Sequence, residues 1–312
     1  MKRASLEEFC KNLEGEILYS DFRKNIRLNT PFLTRPGIQL TGFFEYFDND
    51  RVQIIGNTEN AYLKHLTPQV RENRIRALFK HDIPCVVLTN GVKEYDEFVK
   101  IAREEHVILI RSNFNTNLSI NKTVAFLEDL FAPKMQLHGV LVEVLGVGIL
   151  LEGESGIGKS EIALELVQRG HRLVCDDLVE IKRLNINTLE GSCPEILQYF
   201  MEIRGVGIID VKALFGMGAI KDKVDIELIV RLEHWNNEKH YERLGTEYQK
   251  EELLDVSLDK LTVPVRPGRN MAVIIETIAR NYRVNEMDYN AGKVFCKRIE
   301  TFNNANAKKV KK

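Results

Sequence analysis

The stretch Gly153-Glu154-Ser155-Gly156-Ile157-Gly158-Lys159-Ser160 fits the spacing G-x-x-x-x-G-K-[ST] of a loop that wraps phosphate. Each residue type has a physical task. Gly156 and Gly158 lack the Cβ that would hold backbone N–H groups away from phosphate oxygens. Lys159 offers a mobile full charge to β- and γ-phosphates, and the Ser160 hydroxyl suits Mg²⁺. Glu154 must turn outward, because its carboxylate would repel the anion. The chemistry implied is binding of a nucleoside triphosphate with Mg²⁺ and transfer of a phosphoryl group.

Further groups lie downstream. Val174-Cys175-Asp176-Asp177 closes a predicted strand seventeen residues past Lys159. In a parallel sheet such strand ends open on the same crevice as the loop. Neighbouring strand residues point to opposite faces, so one aspartate faces the reaction and the other bonds backbone or metal. A carboxylate there can order Mg²⁺ or accept the proton of an attacking hydroxyl, and the residues alone do not choose between Asp176 and Asp177. Glu202 and Arg204, two apart on a predicted strand, suit a metal ligand beside a phosphate contact, or simply a glycine-rich turn. Val263-Pro264-Val265-Arg266-Pro267-Gly268-Arg269-Asn270 is a stiffened loop from which two arginines project, a candidate phosphate clamp. Taken alone, His138 reads as a structural histidine at a strand start and Arg243 as an exposed helix residue. No D-x-x-G, N-K-x-D or L-S-G-G-Q sequence follows the loop, which argues against a GTPase switch or a transporter ATPase.

The elements that must hold these groups are visible in the pattern. An apolar strand over Val147–Leu151 enters the loop, and Ser160–Val167 leaves it as a strong helix former stopped by Gly170. His138–Val144 pairs with Val147–Leu151 across Gly146. Further strands are predicted at 171–176, 178–182, 224–232 and 261–265. Met271, Ile274, Ile275, Ile278 and Ala279 recur at helical spacing. Before Pro133, strands at 51–56, 85–89 and 106–110 alternate with helices at 60–80, 92–105 and 118–131, a small α/β domain with a partly parallel sheet. The division expected is an N-terminal α/β domain over 1–132, a catalytic domain over 133–303 and a frayed basic tail over 304–312.

The chain has 312 residues, 44 basic against 45 acidic side chains and five scattered cysteines without a CxxC pair. Balanced charge argues against a nucleic-acid binder, and the cysteines indicate neither a disulfide framework nor a zinc site. Acidic residues near Met1 exclude a signal peptide, and no apolar run approaches the ~20 residues of a membrane span. A cytoplasmic protein with no membrane partner is expected.

Four segments together resemble the HPr kinase/phosphorylase family: His138 through Glu161, Gly170 through Asp177, Glu202 through Asp210 and Pro264 through Asn270. The resemblance is clear over residues 135–290. It departs at Val206, Cys175 and Arg266, none of which removes a functional group. It implies a catalytic domain related in fold to phosphoenolpyruvate carboxykinase and a hexameric assembly. It also implies a bifunctional enzyme that phosphorylates a serine of the carrier protein HPr with ATP or pyrophosphate. The reverse activity removes that group with inorganic phosphate, giving pyrophosphate. By the same resemblance Asp177 is the base, with Asp176 as the fallback. Lys159 holds the transferring phosphoryl, Ser160 and Glu202 bind Mg²⁺, and His138 and Arg243 neutralise phosphate charge. Residues 264–269 serve phosphorolysis above all. A kinase for a small metabolite and a non-catalytic ATP sensor are the alternatives; Asp177 and Glu202 argue against the sensor, which needs no base.

Overall fold

The structure is a computed structural model that describes all residues except 91, 93–95, 240, 242–247, 311 and 312, and leaves the side chains of 96 and 304–310 undescribed. The chain divides into two compact units, Met1–Ala132 and Pro133–Lys312.

In the first unit the strands Glu16–Tyr19, Leu109–Arg111, Val86–Leu88, Val52–Ile55 and Leu33–Thr34 lie side by side in that order. The last four are parallel, and Glu16–Tyr19 pairs antiparallel at the edge. The central strands are apolar at successive positions because both faces of a parallel sheet are covered. Ile55, Val86 and Leu109 pack on one side with Leu63, Ile75 and Phe79. Ile54, Val87 and Ile110 pack on the other with Phe9 and Leu127. The single helix expected over 60–80 is two, Asn57–His65 and Pro68–Phe79. Pro68 has no N–H and pushes the residue before it out of the α region, so one helix stops and the next begins on the proline. The helix expected over 92–105 is described as Asp96–Glu104.

The second unit is built on a nine-stranded mixed sheet. Val140–Val144 and Val147–Gly153 form a tight antiparallel hairpin whose two turn residues, Leu145 and Gly146, both have positive φ, at 53° and 81°. Val147–Gly153 then runs parallel to the twelve-residue strand Lys223–His234, which runs parallel in turn to Val256–Val265. Ile149, Leu151, Leu228 and Val230 face one layer with Ile162, Leu166 and Ile275 of the helices Lys159–Gln168 and Met271–Glu286. Leu150 and Ile229, one residue out of phase, face Val179, Ile181 and Leu258 on the other. The loop strand is therefore clamped on both faces. The C-terminal helix Ala291–Val310 carries helical backbone through most of the segment expected to fray; Ala and Lys, frequent there, are good helix formers.

Gly148 shows how closely the loop strand is held. Lys223–His234 changes partner beside it: Asp225 pairs with Glu190 whereas Ile226 pairs with Gly148. A Cβ on Gly148 would lie 2.0 Å from the Asp225 carbonyl oxygen. Gly148→Ala is expected to cost about 1–3 kcal/mol or more, since the backbone must move to admit the methyl group. An unchanged urea midpoint for the full chain would show that the two strands have slack here.

Candidate functional site

The loop strand ends at Gly153, and three glycines take conformations that other residue types rarely adopt: φ is 150° at Gly153, 85° at Gly156 and 100° at Gly158. Gly158 caps the helix Lys159–Gln168, whose N-terminus adds partial positive charge at the loop. Ile157 is buried in the core beneath and anchors the loop from inside. Glu154, Ser155 and Gly156 are exposed. The Lys159 ammonium donates to the carbonyls of Gly153 at 2.9 Å and Glu154 at 3.1 Å, so it lies folded over the loop.

Asp176 is buried beside the helix start. Its Oδ1 accepts from the Ser160 hydroxyl at 2.8 Å and its Oδ2 from the backbone N–H of Glu202 at 3.2 Å. The strand Arg172–Cys175 that delivers it does not adjoin the loop strand. Val140–Val144 lies between them, antiparallel to both, so the two outer strands run in one direction and end on the same side. Asp177 departs from strand geometry. The strand stops at Cys175, and Asp177 sits at φ 73°. That left-handed turn, rather than the alternation of a pleat, separates the two aspartates. The Asp177 carboxylate is 81% exposed and lies 3.8 Å from Nδ1 of His138, itself 82% exposed, while its carbonyl accepts from Gly139 N–H at 3.0 Å.

Burial raises the Asp176 carboxyl above its ordinary value of 3.8, against the opposing hydrogen bonds from Ser160 and Glu202. A raised acid holds its proton more tightly when folded. Its contribution to stability is present at low pH and is lost as pH climbs through the unfolded value toward the folded one. As pH rises above the ordinary carboxylate range the metal-free chain is thus expected to lose melting temperature relative to its Asp176→Asn variant. A difference that does not change with pH would remove the desolvation argument.

Glu202 belongs to the hairpin Phe200–Ile203 with Gly207–Asp210, and its side chain is exposed above the Asp176 contact. Arg204 follows in the turn. Its Nη2 donates to Ser155 Oγ at 3.2 Å, and a Cβ on Gly156 would come within 2.6 Å of its Nη1. Arg204 therefore reaches the loop, whereas Glu202, the one of the pair in a strand, bonds Asp176 through its backbone. The second basic loop differs from expectation. Arg266 stacks over the Trp235 ring, 3.3 Å from its centroid, whereas Arg269 donates to the Pro264 carbonyl of its own loop at 3.0 Å. One arginine is placed by an aromatic face and the other braces the turn, so the two do not project as a free clamp. Asn270 caps the next helix and donates to Glu165 of the loop helix at 2.6 Å, which ties this segment to the site. Trp235 carries no spacing signal, although it is the single tryptophan of the chain. Arg243 lies outside the described residues.

The Ser160 hydroxyl and the Asp176 carboxylate meet here, with Glu202 adjoining through its backbone N–H, and hydroxyl and carboxylate oxygens are donors of the kind Mg²⁺ takes when phosphates and water complete its shell. Among the described residues no group of three or more His, Cys, Asp or Glu could hold a metal ion. No described helix is long and apolar enough to cross a membrane. Two cavities of about 640 and 590 Å³ are lined by residues such as Lys250, Asp259, Tyr282 and Glu286, and none of the loop residues lines either.

Comparison with known proteins matches nearly the whole chain. The family model for the HPr Serine kinase C-terminal domain matches residues 129–299, and that for the HPr Serine kinase N terminus matches 4–127. The chain is 45% identical over 299 residues to the HPr kinase/phosphorylase of Alkaliphilus metalliredigens, covering 96% of this chain and 97% of that protein. It is 48% identical over 268 residues to that of Caldicellulosiruptor bescii, covering 86% of each. A solved structure of the Hpr(Ser) kinase/phosphatase from Coxiella burnetii is 36% identical, covers 52% of this chain and 98% of that one, and superposes with a TM-score of 0.47. With both family models matched and near-complete coverage of its relatives, the chain belongs to the HPr kinase/phosphorylase family.

Proposed function

We propose that this chain transfers the γ-phosphoryl group of ATP, or a phosphoryl group of pyrophosphate, to a serine of HPr, and removes it again by phosphorolysis with inorganic phosphate. In this way it sets sugar uptake and carbon metabolism. What supports the reading is the bond of Ser160, next to Lys159 in the phosphate loop, to buried Asp176, with the exposed Asp177 carboxylate following it in the chain.

In the forward direction the loop amides and Lys159 hold the triphosphate, with Lys159 leaving its carbonyl partners for the transferring group. Ser160 and Glu202 would hold Mg²⁺, and Asp176 orients the Ser160 hydroxyl from behind. Bound Mg²⁺ neutralises phosphate charge and aligns the group for in-line transfer. Asp177, free of backbone ties at its carboxylate, takes the serine proton as the seryl oxygen attacks phosphorus and ADP departs. In reverse an oxygen of inorganic phosphate attacks the phosphorus of the seryl phosphate, the P–O bond to serine breaks as Asp177 returns a proton to the departing serine oxygen, and the new P–O–P bond makes pyrophosphate. His138 beside it, and Arg243, neutralise phosphate charge, and residues 264–269 serve phosphorolysis, with Arg266 held by Trp235.

The finer assignments belong to the same proposal: a catalytic unit over 133–303 of the phosphoenolpyruvate carboxykinase type, assembly as a hexamer, and a cytoplasmic location. Incubation of one preparation with Mg²⁺, labelled ATP and purified HPr should label HPr. Phosphorylated HPr with excess phosphate should then yield pyrophosphate. Labelling without any pyrophosphate in the second step would end the bifunctional reading, and no labelling would end both.

A further inference from the structure

Two thiols that no step of the transfer uses lie directly behind the acidic turn. Cys175 ends its strand and precedes Asp176, while Cys193 follows the strand Leu189–Ser192. Both are buried and free. Their sulfurs are 2.6 Å apart, against about 2.05 Å for a formed bond. The Cys175 thiol also donates to the Leu178 carbonyl at 2.9 Å, spanning the turn that displays Asp177. The two cysteines stand eighteen residues apart in sequence, and the fold alone brings them together.

We infer that Cys175 and Cys193 are a reversible disulfide site, closed by a peroxide, whose closure withdraws the Asp176–Asp177 turn from phosphoryl transfer. Cys193 is the more accessible of the two, 5% exposed against 1%. Its sulfur attacks one oxygen of hydrogen peroxide, the O–O bond breaks, and the other oxygen leaves as water carrying the thiol proton. The Cys193 sulfenic acid so formed is attacked by the Cys175 sulfur, which forms the S–S bond and expels a second water with its own proton. Two thiols lose two electrons and two protons, and one peroxide becomes two waters. A dithiol reductant reverses the step by exchange.

The coupling to the site is local. Oxidised Cys175 has no S–H, so the bond to the Leu178 carbonyl disappears and the sulfur is drawn toward Cys193. The residue that moves is covalently joined to Asp176, which holds Ser160 and the Glu202 backbone. Displacement of a reacting group by about 1 Å can cost about 10²-fold in rate, and a fall of about tenfold or more is expected here.

The test uses the full chain. Peroxide treatment followed by denaturation should lower the titratable thiols from five by two, and peptide mass mapping should join Cys175 to Cys193. HPr phosphorylation should fall about tenfold or more and return with dithiothreitol. The Cys193→Ser variant should retain its activity through the same treatment, and Cys175→Ala should form no linkage. Thiol counting and mapping need no activity, so they stand even if the proposed transfer to HPr fails. Linkage of other cysteines, or none, overturns the site. Linkage without loss of transfer, or equal peroxide loss in Cys193→Ser, overturns the coupling.

Discussion

Asp177→Asn is expected to lower transfer from ATP to HPr by about 10²–10⁴-fold, the usual contribution of a positioned proton acceptor. Asparagine keeps the shape of the side chain but cannot take the serine proton. Because one carboxylate serves as base forward and as acid in reverse, phosphorolysis should fall by a similar factor. The substitution should leave folding alone. Asp177 is 81% exposed, and its pairing with His138 at 3.8 Å is a surface contact of little energetic value. Melting temperature and ATP affinity should therefore stay near those of the parent. Asp176→Asn is a contrasting case, since it disturbs the Ser160 and Glu202 contacts and should weaken Mg²⁺-dependent nucleotide binding as well as turnover. Full kinase activity in Asp177→Asn would reassign the base to Asp176. Loss in one direction alone would deny that a single group works both ways.

What the sequence made legible follows from where its constraints are local. The phosphate loop is readable because its demands fall on residue types: Gly153, Gly156 and Gly158 each take a positive φ, and the Lys159-Ser160 pair opens a helix. The hairpin at Leu145-Gly146 and the parallel core of the first unit are readable for a similar reason, since turn residues and apolar runs mark them directly. The roles of Asp176 and Asp177 are not. Strand alternation predicts opposite faces, yet the strand ends at Cys175, and a left-handed turn makes one aspartate buried and the other free. Pro68 announces a helix break that the run of polar helix formers over 60–80 conceals. The Arg266–Trp235 stack and the Cys175–Cys193 contact are products of sheet order, in which residues about 31 and 18 apart meet across strands, and no local spacing signals either.

Lys159→Met should separate holding the nucleotide from moving its phosphoryl group. Methionine keeps the length of the stem and its packing while deleting the charge. In the free chain the ammonium donates to the Gly153 and Glu154 carbonyls; both residues are at least partly exposed, so water can replace those bonds and stability should change by less than about 1 kcal/mol. ATP binding should weaken but persist, because the backbone N–H groups of the loop and the N-terminus of the helix Lys159–Gln168 still face the phosphates. Transfer itself should fall by about 10³-fold or more, on the scale seen when a cation is removed from a transferring phosphoryl group. The reason is differential: Lys159 must give up two carbonyls to follow charge that moves with the group, so its contribution is larger in the transition state than in the bound ground state. Nucleotide binding by calorimetry and single-turnover transfer to HPr measure the two quantities apart. Complete loss of ATP binding would mean that the backbone cradle cannot hold the triphosphate without the lysine. Transfer within tenfold of the parent would place the essential cation elsewhere, with Arg204, already seated against Ser155, the first to test.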